Sequence, residues 1–159
     1  MDTYKINLSE GKECIIGQGN FSLKTVDDLS RVLMASASEI RVGTAMNDGG
    51  MGITRKSGND DDLAQEAANI AYSIGAGHVF VIILKGAFPV NVLNDLQRVH
   101  GVCNIFAASA NPLEVIVQET SQGKAVIAVV DGKGPSSIET NADIKKRRQT
   151  LKRIGYHLG

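Results

Sequence analysis

Two hydrophobic periods alternate along this chain. In some segments apolar residues fall on every second position or in short unbroken runs, and in others they return every third or fourth position. The first kind predicts strands at YKINL (4–8) and ECIIGQ (13–18), joined by a Ser-Glu-Gly-Lys turn. A helical stripe of Leu29, Val32 and Leu33 follows in TVDDLSRVLMAS, where Thr25 and Asp28 have capping-box spacing. EIRVGTAM (39–46) reads as a strand, NDGGMG (47–52) as a turn and ITRKS (53–57) as a return strand. The segment 58–77 is the clearest helix. Asn59 or Asp60 caps it, Leu63, Ala67, Ile70, Ala71 and Ile74 share one face, and Gly75 stops it.

HVFVIILK (78–85) has no polar alternation after His78, which predicts a central strand buried on both faces. Pro89 suits the first turn of a helix over 89–99, with Val92, Leu93, Leu96 and Val99 on one side and Gly101 beyond its end. VCNIFAAS (102–109) and LEVIVQET (113–120) are strands split by Ala-Asn-Pro, and KAVIAVVDG (124–132) is a further strand. The last element, 140–158, is a helix with Thr140 and Asp143 at capping spacing. Alternating strands and helices, with some strands adjacent, indicate a layered α/β fold on a mixed sheet, in one domain spanning 1–159.

Composition narrows the function classes. The 17 basic and 17 acidic residues balance, and there is no tryptophan, so neither a positive field nor a stacking platform for nucleic acid is expected. Two cysteines, Cys14 and Cys103, are too few for a disulfide framework or a zinc set and read as buried, reduced thiols. The N-terminus lacks the apolar stretch of a signal peptide, and the run Val79–Leu84 is too short to cross a membrane. The expectation is a cytoplasmic protein with no membrane partner.

Candidate chemistry sits mainly between residues 75 and 94. Lys85 closes the buried strand, and Pro89 opens a helix whose free N–H groups, with Asn91 and Asn94, could hold a phosphate. A plain strand-to-helix connection with a solvated lysine is the other reading. His78, flanked by Ala76-Gly77, could act as acid, base or nucleophile, or simply bond a carbonyl at the strand entrance. His100 and His157 read as surface residues. No His/Asp/Glu cluster has metal-ligand spacing, and Asp131 before Gly132 reads as a turn former. On the terminal helix, Arg147 falls within a stripe of Ile144, Leu151, Ile154 and Leu158. An arginine there needs a carboxylate, a phosphate or a neighbouring subunit.

The ordered blocks GAGHVFVIILKGAFPVNVLN and ANPLEVIVQET, with IIGQ and DIKKRR, resemble the adenosine-specific kinase family of small prokaryotic proteins over residues 5 to 158. The resemblance implies a three-layer αβα fold, self-assembly into a homo-oligomer, and adenosine or AMP as ligand. It also implies a histidine that carries a phosphoryl group. Positions that match are Gln18, His78, Lys85, Phe88, Pro89, Asn91, Asn94, Asn111, Pro112, Glu114 and Arg147. The chain departs where members often carry a histidine, here Asn20, and where they carry Cys-Glu, here Asn47-Asp48. The resulting expectation is an adenosine- or AMP-binding phosphotransferase with His78 as phosphoryl carrier and Asp48 as base or magnesium anchor. Gln18, Asn47, Lys85, Phe88, Pro89, Asn91, Asn94, Asn111 and Arg147 would bind ligand. Magnesium would join only if phosphoryl transfer occurs, and no other cofactor is implied. The alternatives are a non-catalytic nucleotide sensor and an oligomeric binding module.

Overall fold

A computed structural model describes residues 1–157. Its centre is β5, Val79–Lys85. Val79, Val81 and Ile83 project into one apolar cluster, while Phe80, Ile82 and Leu84 project into the other. All six are at most 1 % exposed, so the strand without polar alternation is covered on both faces.

Four strands flank β5 directly or at one remove: β2 (Glu13–Gly19), β3 (Arg41–Asp48), β4 (Ile53–Gly58) and β6 (Val102–Ser109). Their order is β4-β3-β5-β2-β6, and every ladder is antiparallel. A second sheet orders β1 (Asp2–Ile6), β7 (Leu113–Glu119) and β8 (Lys124–Asp131), again antiparallel. Among the described residues, the one parallel pairing outside the named ladders is a bridge between Ala76 and Lys124. The fold class is therefore α/β, with sheets more uniformly antiparallel than the sequence pattern suggested. The two strands nearest the N-terminus form no hairpin, because β1 and β2 join different sheets.

One face of the five-stranded sheet is covered by α1 (Ser22–Ser36) and α3 (Leu93–Gln97), through Val26, Leu29, Leu33 and Leu96. The other is covered by α2 (Asp61–Ile74) and the small sheet, through Leu63, Ala67, Ile74, Leu113 and Val115. α2 starts and ends as its sequence dictates. Asp60 accepts from the Leu63 N–H, and Gly75 at φ 69° closes the helix through its N–H to Ala71.

Three local expectations need correction. α1 begins three residues before Thr25, behind Phe21 at φ 53°; the Thr25 hydroxyl donates to the Asn20 carbonyl at 2.6 Å instead of capping. Asp28 is engaged by Lys24 and Arg31. The helix expected over 89–99 is a single 3-10 turn, Pro89–Asn91, followed by the five-residue α3. Finally, Cys14 is buried but Cys103, on the edge strand β6, is exposed. The terminal helix α4 (Asn141–Arg153) has the expected Thr140–Asp143 capping box, yet none of its residues is buried. Leu158 of its expected stripe lies outside the described residues. No helix among those described is long and apolar enough to cross a membrane.

Candidate functional site

His78 sits where α2's glycine-rich exit meets the start of β5. Its backbone is left-handed, φ 56°, a region that non-glycine residues rarely occupy and that costs about 1 kcal/mol or more. The surroundings hold it there. Its N–H donates to the Asn47 carbonyl at 3.1 Å, and its carbonyl accepts from the Gly19 N–H at 2.9 Å. The half-buried imidazole lies against Gly49, where a Cβ would approach the ring carbon Cε1 to 3.3 Å. Among the described residues neither ring nitrogen has a hydrogen-bond partner, so both remain open to a ligand.

The seat under the ring is built by Asn47 and Asp48. Asn47 is buried, and its amide Nδ2 donates to the Ala71 and Ala76 carbonyls, both at 2.8 Å. Its Oδ1 accepts from the Thr54 hydroxyl at 2.7 Å. One side chain thus ties β3 to the end of α2, the Gly75–Gly77 turn and β4. Asp48 is equally committed. Oδ1 accepts from the Gly50 and Met51 N–H groups at 2.9 and 2.8 Å. Oδ2 accepts from the Ser22 hydroxyl at 2.8 Å and from Arg55 at 3.0 and 3.2 Å. The Met51 amide above all, then Ser22, Arg55 and the Gly50 amide, hold its carboxyl far below the usual carboxylate range. A carboxylate with five donors and so low a proton affinity is a poor general base and has no free lone pair for magnesium. The structure gives Asp48 a different use, anchoring the 48–52 loop.

This seat forms one wall of a cavity of about 720 Å³. The opposite wall is the β7–β8 turn, Thr120–Gly123, with Lys124 and Tyr72 at the sides. The volume falls in the range of small-ligand sites, roughly 300–1,000 Å³. Lys124, whose stem passes Gly75, is the cation of this chain that lines the cavity with its charge unpaired among the described residues, since Arg55 is spent on Asp48. Gln18 is exposed one step away, opposite Val79 in the β2–β5 ladder.

The other expected ligand residues are not here. His78 and Lys85 stand at opposite ends of β5, roughly 23 Å apart at the usual rise of a strand. With Lys85 go Phe88 and Asn94, both exposed, and Pro89, which is buried. Asn91 is occupied: its Oδ1 accepts from the Phe88 N–H at 3.1 Å, and its Nδ2 donates to Tyr156 at 3.1 Å. The short 3-10 turn has little dipole to offer a phosphate. Asn111 braces Asp131 at 3.2 Å, and Glu114 lies 3.6 Å from Lys5. Arg147 makes a two-pronged pair with Glu139 at 2.8 and 3.0 Å, the carboxylate partner among the three kinds it could have had. Within one chain, then, His78, Asn47 and Asp48 come together and Gln18 lies nearby, whereas Lys85, Phe88, Pro89, Asn91 and Asn94 lie at and beyond the far end of β5 and Arg147 sits on the exposed α4.

Sequence reasoning missed Gly49, Tyr72, Lys124, Ser22 and Arg55. Gly49 carried a signal, since it lies in the Asp-Gly-Gly turn between the strands β3 and β4. The others reach the site through pairings distant in sequence.

Comparison with known proteins agrees with the resemblance. The family model described as adenosine specific kinase matches residues 4–157. The crystal structure of the PH1918 protein from Pyrococcus horikoshii OT3 is similar at 49 % identity and TM-score 0.95, covering 99 % of this chain and 98 % of that one. No curated protein sequence matches. The chain belongs to the adenosine specific kinase family.

Proposed function

We propose that the protein binds adenosine or AMP in the His78 cavity and transfers a phosphoryl group through His78. The observation that carries this reading is the histidine itself. It is held in a strained left-handed conformation at the wall of a nucleoside-sized cavity, with both ring nitrogens unpartnered among the described residues. Strain maintained by two backbone hydrogen bonds and a glycine seat is the sort of cost a fold retains at a working position.

The chemistry runs in two displacements. A neutral ring nitrogen attacks the terminal phosphorus of a nucleoside triphosphate; the N–P bond forms, the P–O bond to the diphosphate breaks, and the diphosphate leaves. A hydroxyl of adenosine then attacks the same phosphorus. The O–P bond forms, the N–P bond breaks, the imidazole regains its lone pair, and the hydroxyl proton passes to solvent. Lys124 offsets phosphate charge at the rim, and Asp48 keeps the loop under the ring fixed. Magnesium, where used, arrives on the triphosphate, because Asp48 has no oxygen to spare.

The second reading is a nucleotide sensor without turnover. It is favoured by the absence, among the described residues, of a group that orients the imidazole or accepts the hydroxyl proton. Radiolabelled nucleoside triphosphate with adenosine, alongside calorimetry with adenosine and AMP, separates the two. AMP formation abolished by His78→Gln supports transfer. Binding without any product supports the sensor, and no binding of either ligand overturns both.

A further inference from the structure

Tyr72 is out of place on α2. The exposed positions of that helix are otherwise polar, namely Asp61, Asp62, Gln65, Asn69 and Ser73, while its apolar residues face the core. Tyr72 is 76 % exposed and belongs to neither apolar cluster. Among the described residues its hydroxyl has no hydrogen-bond partner. Neither packing nor hydrogen bonding within the fold accounts for an aromatic ring at this position.

The surroundings of the ring do account for it. Tyr72 lines the His78 cavity, one turn before Gly75 closes α2. Of the residues that line this cavity, Tyr72 and Ile53 are the two large apolar ones, and Ile53 is exposed as well. The others are glycines, alanines and polar or charged groups. Lys124 reaches the same corner. A Cβ on Gly75 would lie 3.4 Å from the Lys124 Cδ and 3.6 Å from the Tyr72 carbonyl oxygen. The Ala76–Lys124 bridge fixes the lysine backbone beside this turn. The seven residues from Tyr72 to His78 therefore bring together an aromatic face, a seat for a cation and an imidazole. A nucleoside monophosphate has a complementary part for each: a base that stacks, a phosphate that pairs with charge, and a reacting centre.

We propose that Tyr72 is the platform on which the nucleobase stacks, and that it sets the ligand class as purine nucleosides and their monophosphates. This rests on the reading of the cavity as an adenosine or AMP site. Stacking grows with ring area, so a two-ring purine gains more on the tyrosine face than a pyrimidine does. A base held at Tyr72 directs the ribose and its 5′-substituent along the Gly75–Gly77 turn, toward Lys124 and His78.

Calorimetry of the full chain with adenosine, AMP and uridine tests this. Tyr72→Ala should weaken adenosine and AMP by the same factor, at least about fivefold, and should erase the preference for adenosine over uridine. Tyr72→Phe, which keeps the ring, should bind like the parent. Thermal unfolding should be unchanged in both variants, because the ring packs on neither cluster. A second measurement keeps the residue in place. The chain has no tryptophan and three tyrosines, so in a Tyr4→Phe, Tyr156→Phe background all tyrosine emission comes from Tyr72. Adenosine should quench that emission saturably, with the midpoint found by calorimetry. Adenosine bound by Tyr72→Ala as tightly as by the parent overturns the stacking role and leaves the His78 cavity as the binding site. Binding with no change in Tyr72 emission does the same. Failure of the parent to bind either adenosine or AMP overturns the stacking role and the cavity reading together.

Discussion

Asn47 separates a ligand contact from a positioning residue. Its side chain makes three buried hydrogen bonds, to Ala71, Ala76 and from Thr54. Truncation in Asn47→Ala removes all three. At about 1 kcal/mol for each net bond, the loss is about 3 kcal/mol. The Ala71 carbonyl still accepts from the Gly75 N–H after the truncation. For a chain of this length each kcal/mol moves the midpoint by about 2–4 °C, so thermal unfolding should shift down by about 6–12 °C. Adenosine affinity should fall too, because the Asn47 carbonyl and side chain set the turn that carries His78. Calorimetry and thermal unfolding on the same preparation read both effects. A variant that loses binding with its midpoint unchanged would refute the reasoning and return Asn47 to direct ligand contact.

Other outcomes follow from single side chains. Thr44→Val should be neutral or stabilising by about 1 kcal/mol in denaturant unfolding, because the Thr44 hydroxyl is buried without a partner; a loss of more than that would reveal a hidden partner. Burial, reinforced by Glu66, pushes the Cys14 thiol up to about 12, so a thiol-specific reagent should modify one cysteine, the exposed Cys103, in native protein and two in denatured protein. A thiol whose folded value is raised resists ionisation only in the native state, so stability should decline as pH rises above the unfolded value of about 8.5. His78→Gly should be at least as stable as the parent in chemical denaturation, since glycine relieves the left-handed strain, whereas His78→Ala should not.

Local signals in the sequence proved reliable where the chemistry is local. Asp60 and Gly75 bracket α2, Thr140 opens α4, and the unbroken run after His78 is a strand covered on both faces. Thr25 misled because its spacing to Asp28 is that of a cap, while a left-handed Phe21 starts the helix a turn earlier. The assembly of the site was less legible. His78 and Lys85 look like neighbours in one short motif, yet a strand separates them, and its rise alone places them at opposite ends of the sheet. Lys124 and Tyr72 reach His78 through the bridge from Ala76 to Lys124 and the exit of α2, pairings with no short-range signature. The role of Asp48 turned on Ser22 and Arg55, which its own flanking residues do not announce.

The central claim is that His78 carries the phosphoryl group. Its most direct test is to incubate the protein with terminally labelled nucleoside triphosphate, then map the label by peptide mass spectrometry under alkaline conditions. The account predicts an acid-labile, base-stable phosphoryl group on His78, lost on addition of adenosine as labelled AMP appears, and absent from His78→Gln. Labelled AMP formed at an undiminished rate by His78→Gln would contradict it.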